Sequence, residues 1–508
     1  MKAILRIVAV LLCLLMALSI LTACKKDPSA DGNDTTLNSD SGNSSGDVVD
    51  SELETERRDE NGYIMDDLPE ITYPGVDFDV LSWKNMAQWD WCEETDSKST
   101  VVDRALNNRI LIVENRFKIK FKLKLDIAGD WANMSTFNTT VENSLMDGQT
   151  DYDLIGSYSH CAGTLASKGW MVDLNQSQYV DFSKPWWPSS IVETASIGDK
   201  VYFATGDITP TLIRNVHCMY VNDDLYESLK IGENFAGGRS MYQVVKDGDW
   251  TIELMKKMTK GTVTDSDKYG LSFGNDVSLD SFFYGAGFIM VKNTNGILEI
   301  SDDLVSNHLI TLHEDLKEYI VGNSNGTDSI IESGGNKAFE TGRSLFVASS
   351  ISDAQRYVEK STAQNPLNFT ILPMPMKNSD QFESGGYATV ANFWVTMYSI
   401  PVDAPDMDMS SIILEALASE AHRSVKDVIY YDVFAARFMS NSQKAELLDM
   451  VSQSIVFDTA RMYGVYIGMF ADFRNSITAG ESWASTYAKR NSDGALDSKI
   501  SDLYTTLG

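Results

Sequence analysis

The stretch VVDRALNNRILIVENRFKIKFKLKLD, Val101 to Asp126, decides the fold because it passes directly from a helical pattern into a strand pattern. Apolar residues recur at helical spacing as far as Phe117. From Phe117 to Asp126 apolar and basic residues alternate, which predicts a strand with one face in water. We expect this strand to lie near the edge of a sheet.

The alternation of strand and helix continues on both sides of this stretch. FDVLSW (Phe78 to Trp83) precedes it as a strand, and STFNTTVENSLMDG (Ser135 to Gly148) follows it as a helix. YDLIGSYS (Tyr152 to Ser159) is the next strand, and from Met409 onward nearly all of the chain has a helical pattern. Strands that alternate with helices indicate an α/β fold, with a mostly parallel sheet covered by helices. Further strand-like segments are KVYFATGDI, VHCMYVN, YGLSFG, FETGRSLFVASS, FTILPMPM and YATVANFWVTMYSI.

Length and charge narrow the possible classes of protein. The chain has 508 residues, and because single domains usually stop growing near about 250 residues, we expect two lobes or more. The formal net charge is -30, from 72 acidic and 42 basic residues. Nothing basic enough is present to neutralise phosphates, so nucleic acid is disfavoured as a partner.

The first residues have the composition of an export signal. A basic start and an apolar run lead to LTAC, Leu21 to Cys24, which resembles the bacterial lipobox. We therefore expect a signal peptide over residues 1–23 and a lipid on Cys24, with an ordinary signal peptide as the alternative. Residues 24–60 are rich in Ser, Asp, Asn and Gly, which predicts a disordered tether above the membrane.

Most motifs of catalysis and metal binding are missing from the sequence. HExxH, P-loop and GxGxxG patterns do not occur, while the short GxSxG pattern occurs three times, beginning at Gly42, Gly270 and Gly322. Beyond Cys13 and Cys24, which lie in the predicted signal region, three cysteines remain, Cys92, Cys161 and Cys218. An odd number of widely spaced cysteines argues against a disulfide framework or a zinc motif. His160 and His217 stand singly near strand ends and are interpreted as structural residues. We expect neither enzymatic activity nor a cofactor, although the many carboxylates leave a glycosidase pair open.

Aromatic residues stand beside the predicted strand ends. Trp83 closes the first strand, Tyr158 the third, and Trp394 lies in the later strand ANFWVTM. In an open α/β sheet, ligands bind beyond the carboxyl ends of the strands. Flat aromatic faces there pack against the apolar C–H faces of a sugar, while polar side chains bind its hydroxyls. Packing in the core is the alternative interpretation for each aromatic residue taken singly.

The ordered blocks of the sequence resemble a known family, the extracellular solute-binding lipoproteins of ABC-type sugar importers. This broad group contains maltose-binding protein. The resemblance begins near Tyr63, continues to the C-terminus, and stands behind a lipobox. The blocks are YDLIGSYS, LASKGWMVDL, KPWWPSSIVETASIGDKVYFATGDIT, MYVNDDLYESL, DGDWTIELMKKM, DKYGLSFG, FFYGAGFIMVKNTNG, FETGRSLFVASSI and FTILPMPM.

The resemblance implies a two-lobed periplasmic-binding-protein-like fold with hinge strands and C-terminal helices. The first crossing between the lobes should follow MYVN near Asn222, and the chain should return through GYATVANFWVTM. One lobe would then contain residues 61–222 and 386–430, and the other residues 223–385 and 431–508. The C-terminal helices would pack largely on the second lobe.

The resemblance also implies the ligand contacts, with Trp394 added by its position at a strand end. Some relatives carry a longer Asp- and Gly-rich insertion suggestive of calcium, where this chain has only TVTDSDKYG, so we predict no metal. The candidate contacts are Trp83, Asn85, Ser157, Tyr158, Asp207, Asn275, Asp276, Tyr284, Ser349, Ser350 and Trp394.

The sequence thus predicts a lipid-anchored monomer on the extracellular face of the cell membrane. It would capture a carbohydrate and deliver it to the permease subunits of an ABC transporter. A surface glycoside hydrolase is one alternative. A sensor of the same fold, which presents its ligand to a membrane kinase, is the other.

Overall fold

The computed structural model describes residues 57–84, 87–92, 100–149, 151–260, 268–275, 277–319, 329–330, 333–361, 366–430 and 441–508. The predicted signal peptide, Cys24 and most of the predicted tether lie outside these residues, as do Asn85, Asp276 and residues 261–267. Within the described part of the chain, no helix is both long and apolar enough to cross a membrane.

Strands and helices alternate along the described chain, as the sequence predicts. Strands β1 to β13 span Val76–Leu81, Ile119–Lys124, Leu154–Tyr158, His217–Asn222, Tyr269–Phe273, Val291–Thr294, Ile297–Ile300, Ser329–Ile330, Ser344–Ser350, Phe369–Leu372, Thr389–Val390, Thr396–Ser399 and Ile455–Val456. Helices α1 to α11 span Ala87–Asp90, Val101–Phe117, Met134–Asp147, Ser159–Ser167, Ser189–Ala195, Thr211–Arg214, Asp223–Ser228, Ile231–Phe235, Met241–Lys246, Ile252–Thr259 and Val277–Gly285. Helices α12 to α22 span Asn307–Lys317, Ser333–Glu340, Asp353–Lys360, Asp380–Ser384, Met407–Ser424, Ser442–Gln453, Thr459–Met462, Gly464–Ile467, Asp472–Ala479, Trp483–Arg490 and Ala495–Leu507.

The fold-deciding stretch forms α2 and β2, and local chemistry fixes both ends of the helix. Thr100 and Asp103 form a capping box at its start, which satisfies two backbone N–H groups. Lys118 then takes a left-handed conformation (φ 59°), and this turns the chain into β2. In β2, Phe121 is buried while Lys120 and Lys122 are exposed, as the alternation predicts.

The first sheet has the strand order β12–β3–β1–β2. β1 runs parallel to β2 and to β3, whereas β12 is antiparallel to β3. The prediction that β2 is an edge strand is therefore confirmed. Helix α2 packs against α16, most of whose residues are buried.

The second sheet has the strand order β10–β4–β9–β5–β8 and is mixed. β4 is antiparallel to both β9 and β10, and β5 is parallel to β9 and β8. We expected β4 to end the first lobe at Asn222, but its hydrogen bonds place it in the second sheet, where Asn222 pairs with Phe369. The first crossing therefore comes before His217. A strand with all residues buried carries no sequence signal for the sheet it joins.

Two chain segments run side by side between the sheets. Val216 forms an isolated antiparallel bridge with Ala391, and the Asn392 amide donates a 2.9 Å hydrogen bond to the Asn215 carbonyl. We predicted a continuous strand through this region, but it is broken into β11 and β12. Trp394 lies in the turn between them, and the prediction that it is a strand residue is wrong.

The C-terminal helices contact both halves of the molecule. Helix α17 packs on β10 of the second sheet, and α20 packs on α11 and α12, which follow β5 of that sheet in the chain. Helices α18, α19 and α22 instead pack on α4, which directly follows β3 of the first sheet. The expectation that these helices pack largely on the second lobe is therefore only partly correct.

Candidate functional site

Three of the predicted aromatic residues form one stack at the end of the first sheet. Trp83 follows β1 and Tyr158 ends the neighbouring strand β3, and their rings are stacked with centroids 4.6 Å apart at 20°. The Trp394 ring lies 5.4 Å from that of Tyr158. Phe137 packs against Trp83 at 4.2 Å. The structure thus brings Trp83, Tyr158 and Trp394 together, the first two because β1 and β3 are parallel neighbours and the third through the turn that precedes the antiparallel β12.

Two polar groups of the stack have no hydrogen-bond partner among the described residues. Trp83 and Tyr158 are fully buried, while Trp394 is partly exposed. The indole N–H of Trp83 and the hydroxyl of Tyr158 have no hydrogen-bond partner within the described chain. Burial raises the pKa of Tyr158, so its hydroxyl stays protonated. Both groups are therefore hydrogen-bond donors that the described chain leaves unused.

A second aromatic group extends this surface. The Trp131 ring lies 5.5 Å from Phe393 and 5.7 Å from His160, and Phe393 lies 6.4 Å from Tyr158. Trp131 is 51% exposed, which is unusual for a tryptophan. Sequence reasoning missed Trp131, although it lies in the loop after β2 and so offered the same signal as Trp83.

Residues predicted from the second lobe lie around the end of the second sheet. The Asn275 side chain accepts hydrogen bonds from the amide (3.0 Å) and the hydroxyl (3.2 Å) of Ser278. Ser349 lies so close to Gly274 that a β-carbon on Gly274 would overlap the Ser349 Oγ atom. Ser349 and Ser350 both donate to Asp353. Asn275, Ser349 and Ser350 are thus brought together, with their side chains already engaged inside the protein.

Ser157 and Asp207 do not join the aromatic stack. Ser157 is buried within β3, and its hydroxyl donates to the Tyr158 carbonyl at 3.4 Å. The Asp207 carboxylate instead contacts His422 Nδ1 at 2.6 Å and Lys426 Nζ at 3.0 Å. It lines a pocket of about 560 Å³ that contains none of the stacked aromatic residues.

A buried ion cluster, which sequence reasoning missed, consists of Asp280, Arg461 and Arg474. Arg461 Nη1 lies 3.0 Å from Asp280 Oδ2, and Arg474 Nη1 donates to the same oxygen. Tyr284, a predicted contact residue, is buried with its ring 5.7 Å from the Arg461 guanidinium. The signal was the presence of two arginines within the largely apolar and aromatic segment from 459 to 477, because buried arginines need a specific partner.

Two histidines, one next to each sheet, are affected by the charges of this cluster. Burial, reinforced by Arg461 and Arg474, lowers the pKa of His160 to about 3 and that of His217 to about 4. His160 follows β3 of the first sheet, and His217 begins β4 of the second. Both histidines are therefore neutral, and the positive charge between the sheets belongs to the arginines.

Two buried carboxyl groups have raised pKa values and accept hydrogen bonds from side chains that are distant in the sequence. Burial raises the pKa of Asp90 to about 6, and its oxygens accept hydrogen bonds from Thr209 and Thr396. Burial raises the pKa of Glu415 to about 8, and the Glu415 carboxyl accepts hydrogen bonds from the indole N–H groups of Trp186 and Trp187. Within the described residues, no group of His, Cys, Asp and Glu side chains could hold a metal ion.

Comparisons with known proteins show the fold. No protein-family model and no curated protein matches the chain. The sugar-binding protein MalE of Xanthomonas citri is 10% identical, with a TM-score of 0.54 over 85% of this chain and 98% of its own. UgpB of Mycobacterium tuberculosis, in complex with glycerophosphocholine, is 14% identical, with a TM-score of 0.53 over 85% and 99%.

A third match is the GacH receptor of Streptomyces glaucescens, solved unliganded and in complex with acarbose and an acarbose homolog. It is 12% identical, with a TM-score of 0.51 over 83% of this chain and 100% of its own. These identities are low, and the likeness therefore establishes the architecture rather than the ligand. The two-lobed α/β fold that the sequence resemblance implies is confirmed.

Proposed function

We propose that this chain, which has the two-lobed fold of ABC-transporter solute-binding proteins, captures a carbohydrate outside the cell and delivers it to a permease. The observation that carries the proposal is the aromatic stack of Trp83, Tyr158 and Trp394. The stack lies beyond the carboxyl ends of β1 and β3, where open α/β sheets bind their ligands.

The stack has the chemistry that a sugar requires. Aromatic faces pack against the C–H faces of a pyranose ring, and a few fixed donors orient its hydroxyls. We propose Trp83 Nε1 and the Tyr158 hydroxyl, which have no partner within the described chain, as these donors. Trp131 and Phe393 lengthen the aromatic surface, and this supports an oligosaccharide rather than a single sugar.

The paired segments between the sheets support a mechanism of capture by closure. The Val216–Ala391 bridge and its neighbours link the sheets there, and we propose that the two lobes rotate about this hinge. A ligand that contacts both lobes binds the closed form better, and this difference in affinity drives closure. The closed pair of lobes then presents a new joint surface to a permease.

The proposed anchor is a lipid on Cys24, behind a signal peptide over residues 1–23 and ahead of a polar tether. Two acyl chains attached through a diacylglyceryl thioether give the stable attachment that a single chain does not. Changing Cys24→Ser should release the protein from the membrane fraction without loss of ligand binding. Retention of this variant on washed membranes would refute the anchor.

A saccharide panel tests the proposed function, first by thermal shift and then by titration calorimetry. A ligand at about 100 times its Kd stabilises the protein by about 2.7 kcal/mol, which the first assay detects. Reaction products in the same mixtures would favour the glycoside hydrolase instead. Saturable binding without products favours capture, whether for transport or for sensing.

A matched pair of variants locates the site. Trp131 is 51% exposed, and Phe235, at the end of α8 after β4 of the second sheet, is 37% exposed, so neither should be needed for folding. Trp131→Ala should weaken saccharide binding by roughly 1 to 3 kcal/mol, the scale of burying one large side chain. Phe235→Ala should bind as the wild type does. Equal affinities of all three proteins would place the site elsewhere.

A further inference from the structure

Arg461 is a buried cation with one edge of its guanidinium unused. It is nearly inaccessible, and its Nη1 atom contacts Asp280. Its Nε and Nη2 atoms have no hydrogen-bond partner among the residues that the structure describes. A guanidinium presents its donors in a planar fork that matches the two oxygens of a carboxylate. The unused edge of Arg461 is therefore suited to an oxyanion.

The carboxylates around Arg461 do not occupy this edge. Asp280 shares one oxygen between Arg461 and Arg474. Asp458 is also buried, and it accepts hydrogen bonds from the backbone N–H groups of Met290 (2.6 Å) and Ala460 (2.8 Å) instead. Asp280 thus leaves the Nε and Nη2 edge of Arg461 open, and Asp458 is engaged by the backbone.

Arg461 lines a narrow cavity, of about 10 Å³, between the two halves of the molecule. Ser159 enters the cavity from the first half, directly after Tyr158 of the aromatic stack. Asn392 enters from the hinge, and its side-chain oxygen has no partner among the described residues. The cavity therefore joins the neighbour of Tyr158 to Arg461, and a ligand on the stack would reach Arg461 only with the lobes apart.

We infer that the captured carbohydrate is acidic and that its oxyanion is bound by the unused edge of Arg461. This inference rests on the proposed function and narrows its substrate class to saccharides that bear a carboxylate, sulfate or phosphate group. Asp280 and Arg474 hold the guanidinium in place, while the aromatic stack binds the ring. A neutral sugar would offer the buried edge of Arg461 only uncharged hydroxyl oxygens, and the hydrogen bonds of a guanidinium to an oxyanion are stronger.

The wild-type protein provides the first test, by calorimetry with paired probes. The probes are glucose and glucuronate, galactose and galacturonate, each as monomer and short oligomer, with a sulfated hexose, a phosphorylated hexose and inorganic phosphate. We expect the acidic member of the preferred pair to bind about 10- to 100-fold more tightly than its neutral parent. The sulfated and phosphorylated hexoses show which oxyanion is preferred.

The other outcomes contradict either this inference or the proposed function. Equal binding of a neutral sugar and its acidic counterpart would overturn the inference and leave carbohydrate capture intact. Binding of inorganic phosphate as tight as that of any saccharide would also overturn it, because the ring would then contribute nothing. Failure of every saccharide to bind would overturn the proposed function itself.

Variants then assign the preference to one side chain. Arg461→Met should remove the preference for the acidic probe, and Arg461→Lys should retain part of it. Arg490→Met is the matched control, since Arg490, at the end of α21, is paired with Asp472 and its loss should leave the preference unchanged. An undiminished preference in folded Arg461→Met would overturn the assignment. If that variant fails to fold, the comparison of paired probes on the wild type still decides the inference.

Discussion

Glu415 shows how a single buried side chain can join distant parts of the chain. It lies on α16, and its carboxyl accepts 2.9 Å hydrogen bonds from the indole N–H groups of Trp186 and Trp187. Burial raises its pKa from the ordinary 4.5 to about 8, even though both indole donors favour the charged form. The folded protein therefore keeps a proton on this group that the unfolded chain loses.

This linkage predicts the pH dependence of stability. Between about pH 4.5 and pH 8 the folded state binds more protons at Glu415 than the unfolded state, so the free energy of unfolding falls as the pH rises. Glu415→Gln cannot ionise and should flatten this decline, by an amount on the order of a few kcal/mol. Urea denaturation across this range measures the effect. Parallel pH profiles of the two proteins would show that Glu415 does not contribute.

The hydroxyl of Tyr158 gives a prediction about the site. Because it has no partner within the described chain, Tyr158→Phe should leave stability unchanged or slightly higher, yet weaken saccharide binding by about 0.5 to 1.5 kcal/mol. Tyr387→Phe is the matched control, since its hydroxyl donates to the Val245 carbonyl at 2.9 Å. That variant should lose about 1 kcal/mol of stability and bind normally. Normal binding by Tyr158→Phe would place the hydroxyl in the core.

Residues at strand ends could be predicted from the sequence because the sheet itself sets their positions. Trp83 and Tyr158 meet since β1 and β3 are parallel neighbours. Arg461 could not be predicted in the same way. It reaches the site through tertiary packing of α18 against α4, and no local pattern encodes that contact.

At the scale of elements, the sequence predicts an edge strand better than a central strand. The alternation in β2 identified an edge strand, because its exposed face must be polar. The uniformly buried β4 gave no such signal, and it was assigned to the wrong half. The turn at Trp394 was missed because the flanking residues are as apolar as those of a continuous strand.

The junction of β5 and β9 gives a prediction at this scale. A methyl group at Gly274 would overlap Ser349 Oγ and approach Asn336 Oδ1. Gly274→Ala should therefore destabilise the protein by about 1 to 3 kcal/mol and displace Asn275 and Ser349. Gly385→Ala is the matched control, because a methyl group there would meet open space, and it should change stability by less than about 0.5 kcal/mol. Equal thermal midpoints of the two variants would refute this packing.

For the whole molecule, the sequence blocks were sufficient to predict the architecture but not the ligand. The order of strands and helices along the chain determines which sheets form, and this order survives at identities as low as 10%. The proposed ligand contacts are a few side chains from both halves of the molecule. Their arrangement, with the aromatic stack on one side and the buried ion cluster on the other, became visible only in three dimensions.

The central claim is that a saccharide is held between two lobes that close on it. Small-angle X-ray scattering of the protein, with and without a saturating saccharide found in the binding panel, tests this claim most directly. We predict that the radius of gyration falls by about 1 Å on ligand addition, as hinge closure requires. A ligand that saturates the protein in calorimetry but leaves the scattering curve unchanged would contradict capture by closure.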